Sequence, residues 1–139
     1  MGFDLSKANK VSEREDAGSV VQIMDETGEP LFYGEGNDKP VTITVAGEFS
    51  RVYRRAEDAI RGQQLKRRGN LTPQELRRQS IELLSRCVLA WEGFENAGQP
   101  LDCTRENVSA VLSSAEWIRK QVDQATTDHS APFGKPSQG

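Results

Sequence analysis

A chain of 139 residues has room for one domain, and at that size it buries roughly two-thirds of its unfolded surface. Apolar residues make up 35% and charged residues 28%, and no apolar run approaches the ~20 residues that carry a helix across a bilayer, which excludes an integral membrane protein. The net charge of -3 divides unevenly: residues 1–50 carry 4 basic and 10 acidic side chains, residues 51–86 carry 10 and 4, and residues 87–139 carry 4 and 7.

Residues 1–17 are polar and show no periodic apolar face, so a flexible N-terminal arm is expected. Val20-Val21-Gln22-Ile23-Met24-Asp25 and Leu31-Phe32-Tyr33 have strand composition. Gly28 and Pro30 lie between them, which predicts a β-hairpin. After a second turn-rich loop, Gly34 to Pro40, the alternation of Val41-Thr42-Ile43-Thr44-Val45 puts Val41, Ile43 and Val45 on one face of a strand.

From residue 49 the period changes. Phe49, Val52, Tyr53, Ala56, Ala59 and Ile60 recur at helical spacing with arginines between them. Thr72-Pro73-Gln74-Glu75 is a capping box that opens a second helix. Its stripe of Leu76, Ser80, Leu83, Leu84, Cys87, Val88 and Trp91 predicts an end near Gly93. Thr104 caps a third helix carrying Val108, Val111, Leu112 and Ala115, and Trp117, Ile118, Val122 and Ala125 mark a last helical stretch from Glu116.

The expected fold class is α+β: a small N-terminal antiparallel sheet of about three strands, followed by a C-terminal bundle of three to four short helices. In domain terms, residues 18–125 form one domain, with the sheet over 18–46 and the helices over 49–125. Residues 126–139 are expected to be a disordered tail.

Sites for catalysis are hard to find. Gly34-Glu35-Gly36 begins like a dinucleotide fingerprint but leads into a strand, so no helix N-terminus faces a phosphate. Asn70-Leu71-Thr72 and Asn107-Val108-Ser109 match the glycosylation pattern. The N-terminus shows no secretory apolar stretch, however, and both matches are read as incidental. Cys87 falls on an apolar stripe, and Cys103 precedes a helix N-terminus whose dipole lowers a thiol pKa. His129, the one histidine, lies in the expected tail, so neither thiol has an evident base. Glu57–Asp58 and Glu13–Glu15 sit among arginines or on the arm. No residues stand at metal-ligand spacing. The expectation is a protein that is not an enzyme and has no catalytic residues, cofactor or metal. Nucleic-acid binding through the basic 51–86 segment is disfavoured by a pI of about 5.3 and by the lack of aromatics among the cations between 54 and 90.

One ordered series of residues carries a family likeness. It runs from Val41-Thr42-Ile43-Thr44-Val45 through Gly47, Ser50 and Arg51-Val52-Tyr53-Arg54-Arg55-Ala56. It continues with Cys87-Val88-Leu89-Ala90-Trp91-Glu92-Gly93-Phe94, Gly98-Gln99-Pro100-Leu101 and Thr104-Arg105-Glu106-Asn107-Val108. It closes on Trp117-Ile118-Arg119-Lys120-Gln121-Val122 and a polar tail containing Phe133. The series resembles the tail assembly chaperones of long-tailed (siphovirus-type) bacteriophages and related prophages, over roughly residues 20–134. Glu116 departs from the pattern, which has proline before the Trp-Ile pair.

The resemblance implies a non-enzymatic morphogenesis factor of the host bacterial cytoplasm, absent from the mature virion. It would bind the helical tape measure protein, keep it soluble and help the tail tube protein polymerise around it. Such proteins are often made in two forms by ribosomal frameshifting, and this chain looks like the shorter. The residues expected to contact the client or a neighbouring copy are Arg51, Arg54, Arg55, Leu83, Leu84, Trp91, Phe94, Trp117 and Ile118. For Leu83, Leu84, Trp91 and Trp117, packing in the core is the competing role. Steering by the basic 51–68 helix, or self-association through it, belongs to the same reading. The alternatives are a nucleic-acid-binding accessory protein and a permanent structural component of the tail.

Overall fold

The computed structural model describes residues 2–66 and 69–129, which form five helices and seven short strands. Asp4 opens the first helix, α1 (Leu5–Ala17), by accepting the Ser6 N–H at 2.9 Å, and Gly18 closes it at φ 85°. Residues 5–17 are thus a capped helix and not the flexible arm expected of them. Next come β1 (Ser19–Gln22), β2 (Phe32–Tyr33), β3 (Lys39–Pro40) and β4 (Thr42–Val45). The helices α2 (Arg51–Leu65) and α3 (Pro73–Cys87) follow. Then come β5 (Val88–Glu92), β6 (Glu95–Asn96), β7 (Gln99–Pro100), α4 (Arg105–Ser114) and α5 (Glu116–Thr127).

The expected order of a complete N-terminal sheet followed by a helical bundle is corrected. The main sheet is antiparallel with strand order β1-β4-β5, so its third strand arrives only after α3. Two small two-stranded sheets, β2–β3 and β6–β7, stand beside it. The segment Val88–Glu92, expected as the last turns of a helix, is a strand because β4 offers it a complete edge of unpaired backbone groups. Val88 pairs with Val45 and Trp91 with Ile43, and the register shifts between Thr44 and Val45. Residues three apart would face opposite sides of a regular strand. The bulge restores them to the same inner face. A spacing of three therefore imitated a helix.

The expected hairpin between Val20–Asp25 and Leu31–Tyr33 shrinks to a single bridge, Met24 with Pro30. Asp25 organises its turn by accepting the Thr27 N–H, the Thr27 hydroxyl and the Glu29 N–H at 2.8, 2.7 and 3.0 Å. These bonds, that of the Thr27 hydroxyl foremost, hold its carboxyl below the usual range. Tyr33 and Phe32 pair onward with Lys39 and Pro40.

The alternation of β4 matches the strand that its residues predict. Val41, Ile43 and Val45 are buried with Ile23 against Leu84 and Cys87 of α3, Val108 and Leu112 of α4, and Ile118 and Val122 of α5. The capping box is present: Thr72 accepts the Glu75 N–H at 3.2 Å, and the Glu75 carboxylate reaches back to the Thr72 N–H. Thr104 caps α4 through the Asn107 N–H at 3.1 Å. Gln121 adds a tie with no signature in hydropathy. Its side-chain amide accepts the Met24 N–H at 2.8 Å and donates to the Met24 carbonyl at 3.0 Å, so α5 supplies a strand-like partner to the chain just after β1.

One cluster joins the two ends of the described chain. Glu15 is 5% exposed and accepts the Phe49 N–H at 3.2 Å, while its own carbonyl accepts the Gly47 N–H. The His129 ring lies between two carboxylates, with Nδ1 2.9 Å from Glu15 and Nε2 3.1 Å from Glu48. The Nε2 approach is an aligned hydrogen bond; the Nδ1 approach is an ion-pair distance only. Phe49 stacks on the same ring at 4.3 Å. Thr126 is buried and its carbonyl accepts the Glu48 N–H, so the expected tail is corrected at residues 126–129. The rest of that expectation, Phe133 included, concerns residues 130–139 and lies outside the described residues.

Gly93 yields a testable consequence of the fold. It sits at φ 87°, and a Cβ built on it would come 2.5 Å from Tyr33 Cδ1. Gly93→Ala adds strained backbone to a ring collision. A loss of about 2 kcal/mol is expected, read as a shift of the urea midpoint with an unchanged slope.

Candidate interaction surface

The nine residues expected to contact a partner separate into three environments. Arg54 and Arg55 are exposed on α2, and neither makes an ion pair among the described residues. Arg51 is also exposed but engaged: its N–H donates to Asp16 at 2.7 Å, and its guanidinium lies 3.6 Å from the same carboxylate. That contact docks α1 on the N-terminus of α2, where an acidic side chain also favours the helix dipole. Arg67 and Arg68 of the basic 51–68 segment lie outside the described residues.

Leu84 and Ile118 are corrected to core positions, at 1% and 7% exposure. A partner would have to unfold the domain to reach Leu84. The third group is half-buried. Trp91 and Phe94 stack at 4.4 Å, and the Trp91 indole N–H donates to the Leu101 carbonyl at 2.8 Å, closing the loop that holds β6 and β7. Leu83 lines a groove of about 280 Å³ between α2 and α3 with Ile60 and Leu76, and Leu76 is half exposed. Trp117, at 39% exposure, is the most open of the nine apart from the arginines.

A feature that residue-by-residue reading missed is a larger groove, of about 620 Å³, between α3 and α4. Its walls are two rows at four-residue spacing, Arg77-Ile81-Ser85 on α3 and Arg105-Ser109-Ser113 on α4. Such rows are the ridges by which helices pack. The spacing is visible in the sequence, but no hydrophobic signal marks it, because one apolar residue and three serines read as an ordinary solvated face.

Charge around the groove is partly matched within the chain. Glu82 lies 3.3 Å from Arg86, four residues on. Glu116 pairs with Arg119 at 3.0 Å and lies 3.7 Å from Arg77. The Arg119 hydrogen bond, then Lys120 and Arg77, hold the Glu116 carboxyl below its ordinary value. Glu116 thereby lies with the start of α5 alongside α3.

Neither thiol is activated. Burial pushes Cys87 up to about 12, with Glu57 adding to the shift. Partial burial raises Cys103 as well, against the lowering expected from its place before a helix. A thiol titration at pH 8 is therefore expected to show one accessible group, Cys103, with Cys87 reacting only as the protein unfolds. Prompt reaction of both would contradict the burial of Cys87. The carboxylates of Glu15 and Glu48 approach opposite nitrogens of His129, so they do not converge on one point. Among the described residues no group is arranged to hold a metal ion, and no helix is long and apolar enough to cross a membrane. Comparison of the chain with protein families, with curated proteins and with solved structures returned no match.

Proposed function

We propose that this chain is a non-enzymatic tail assembly chaperone of a long-tailed bacteriophage or prophage. It binds the tape measure protein, keeps it soluble and promotes assembly of the tail tube around it. The observation that carries the reading is the ordered residue series from Val41 to Val122, with Trp91-Glu92-Gly93-Phe94, Thr104-Arg105-Glu106-Asn107 and Trp117-Ile118 at its centre. The two open interhelical grooves support it, because a long helical client presents apolar stripes that neighbouring helices can cover. The chaperone acts in the host bacterial cytoplasm and leaves before the particle is complete. Release of that kind suits modest, charged interfaces.

The test is purification from cells that make this chain together with a tape measure protein and a tail tube protein from the same phage or prophage genome. A complex with the tape measure protein and no trace of the chain in finished virions are expected. Stoichiometric presence in virions would favour a permanent tail component. A salt-sensitive shift of DNA without client binding would favour the nucleic-acid reading, for which the exposed Arg54 and Arg55 supply the cations.

A further inference from the structure

We infer that the α3–α4 groove seats one client helix, whose apolar stripe is flanked by two acidic side chains about one heptad apart. This rests on the chaperone reading and names the chemistry of the client segment.

The shape comes first. The four-residue rows Arg77-Ile81-Ser85 and Arg105-Ser109-Ser113 leave a furrow of the kind that accepts the ridge of a third helix. Ile81 gives the furrow an apolar floor. Ser85, Ser109 and Ser113 keep the walls low, so a helix backbone can come close without displacing bulk.

Direction and charge then select the occupant. The Arg77 guanidinium lies 3.7 Å from Glu116, two residues beyond the end of α4, so the start of α3 lies beside the end of α4 and the two run antiparallel. Arg77 and Arg78 therefore stand at one end of the groove and Arg105 at the other. The eight residues from Arg105 to Ser113 separate those ends by about 12 Å at the helical rise. Arg78 and Arg105 make no ion pair among the described residues, and Arg77 holds Glu116 only at the outer limit of one. Of the carboxylates on the rim, Glu82 is engaged by Arg86, and Glu106 sits in the first turn of α4, where the helix dipole favours it. Two guanidiniums are left to take carboxylates, each capable of a two-point hydrogen-bonded pair. On a helix lying along the groove, side chains seven or eight residues apart span the same 12 Å or so. An acidic helix fits those anchors, whereas a basic one meets both ends with like charge.

The proposal is tested on the full chain with two labelled synthetic helices of about six turns that share an apolar stripe. One carries Glu at both flanking positions and the other Lys. The Glu peptide is expected to bind, to weaken about tenfold or more against Arg78→Glu/Arg105→Glu, and to be outcompeted there by the Lys peptide. Ser109→Trp fills the furrow and is expected to abolish binding of either. Equal binding of the two peptides, failure of the swap to reverse preference, or no binding to the native chain overturns the assignment. So does a concentration-dependent dimer that Ser109→Trp dissolves, since the groove would then belong to a second copy. If the charge-reversed variant still solubilises the tape measure protein like the native chain, the groove assignment fails and the chaperone reading stands. If the native chain gives the client no protection but the peptides obey the swap, the chaperone reading fails and the groove stands.

Discussion

Gly47→Ala is expected to be the most damaging small substitution in the domain. A Cβ at Gly47 would fall inside the space filled by the Glu15 carboxylate. That carboxylate cannot simply swing aside, because it is nearly fully buried, accepts the Phe49 N–H and lies 2.9 Å from His129 Nδ1. Overpacking alone costs ~1–3 kcal/mol. Driving a buried carboxylate from its partners adds a similar or larger amount, of order 3 kcal/mol. The expected loss is about 4 kcal/mol, with α1 detaching and amide exchange of the Phe49 N–H accelerating. Glu15→Ala in the same chain removes the collision, so the double variant should be less damaged than the sum of the single ones, a coupling visible in a double-mutant cycle. Strict additivity would mean that Glu15 is not where the structure puts it.

Leu84→Ala is the second. Leu84 is 1% exposed in the core that the sheet shares with α3, α4 and α5, and its truncation leaves a cavity that the sheet and three helices cannot close together. A loss of about 3 kcal/mol is expected, within the ~2–5 kcal/mol typical of such changes. Leu83→Ala, one position along on the half-buried side of α3, should lose about 1 kcal/mol. The pair separates a residue that builds the domain from one that lines a groove. On the proposed chaperone function, the Leu84 variant below its unfolding midpoint should protect client as well per folded molecule as the native chain. Chemical denaturation followed by tryptophan fluorescence measures the first claim, and client yield normalised to folded chain measures the second.

The parts of this fold that were legible in the sequence are those set by neighbouring residues. The Thr72–Glu75 box, the Thr104 cap and the alternation of Val41, Ile43 and Val45 need only local geometry, and each stands where its residues predict it. What was illegible depends on partners far away in the chain. The segment Val88–Trp91 has a helical spacing, and only the open edge of β4 and the bulge at Thr44–Val45 make it a strand. Residues 5–17 look unstructured because their anchor is Glu15, whose buried carboxylate has its partners at 49 and 129 and whose carbonyl accepts the Gly47 N–H. Among the candidate site residues, periodicity placed Leu83, Leu84 and Ile118 on apolar faces, but it could not say which stay open. The α3–α4 groove escaped notice because its walls are serine and arginine, which hydropathy reads as solvent-facing.

The central claim is that these helices shield another polypeptide. It is tested most directly by the soluble fraction of a tape measure protein from the same phage or prophage genome, made with and without this chain in the same cells. The account predicts that the client is largely insoluble alone and several-fold more soluble when the chain is present. An unchanged soluble fraction, with both proteins made at equal levels, would contradict it.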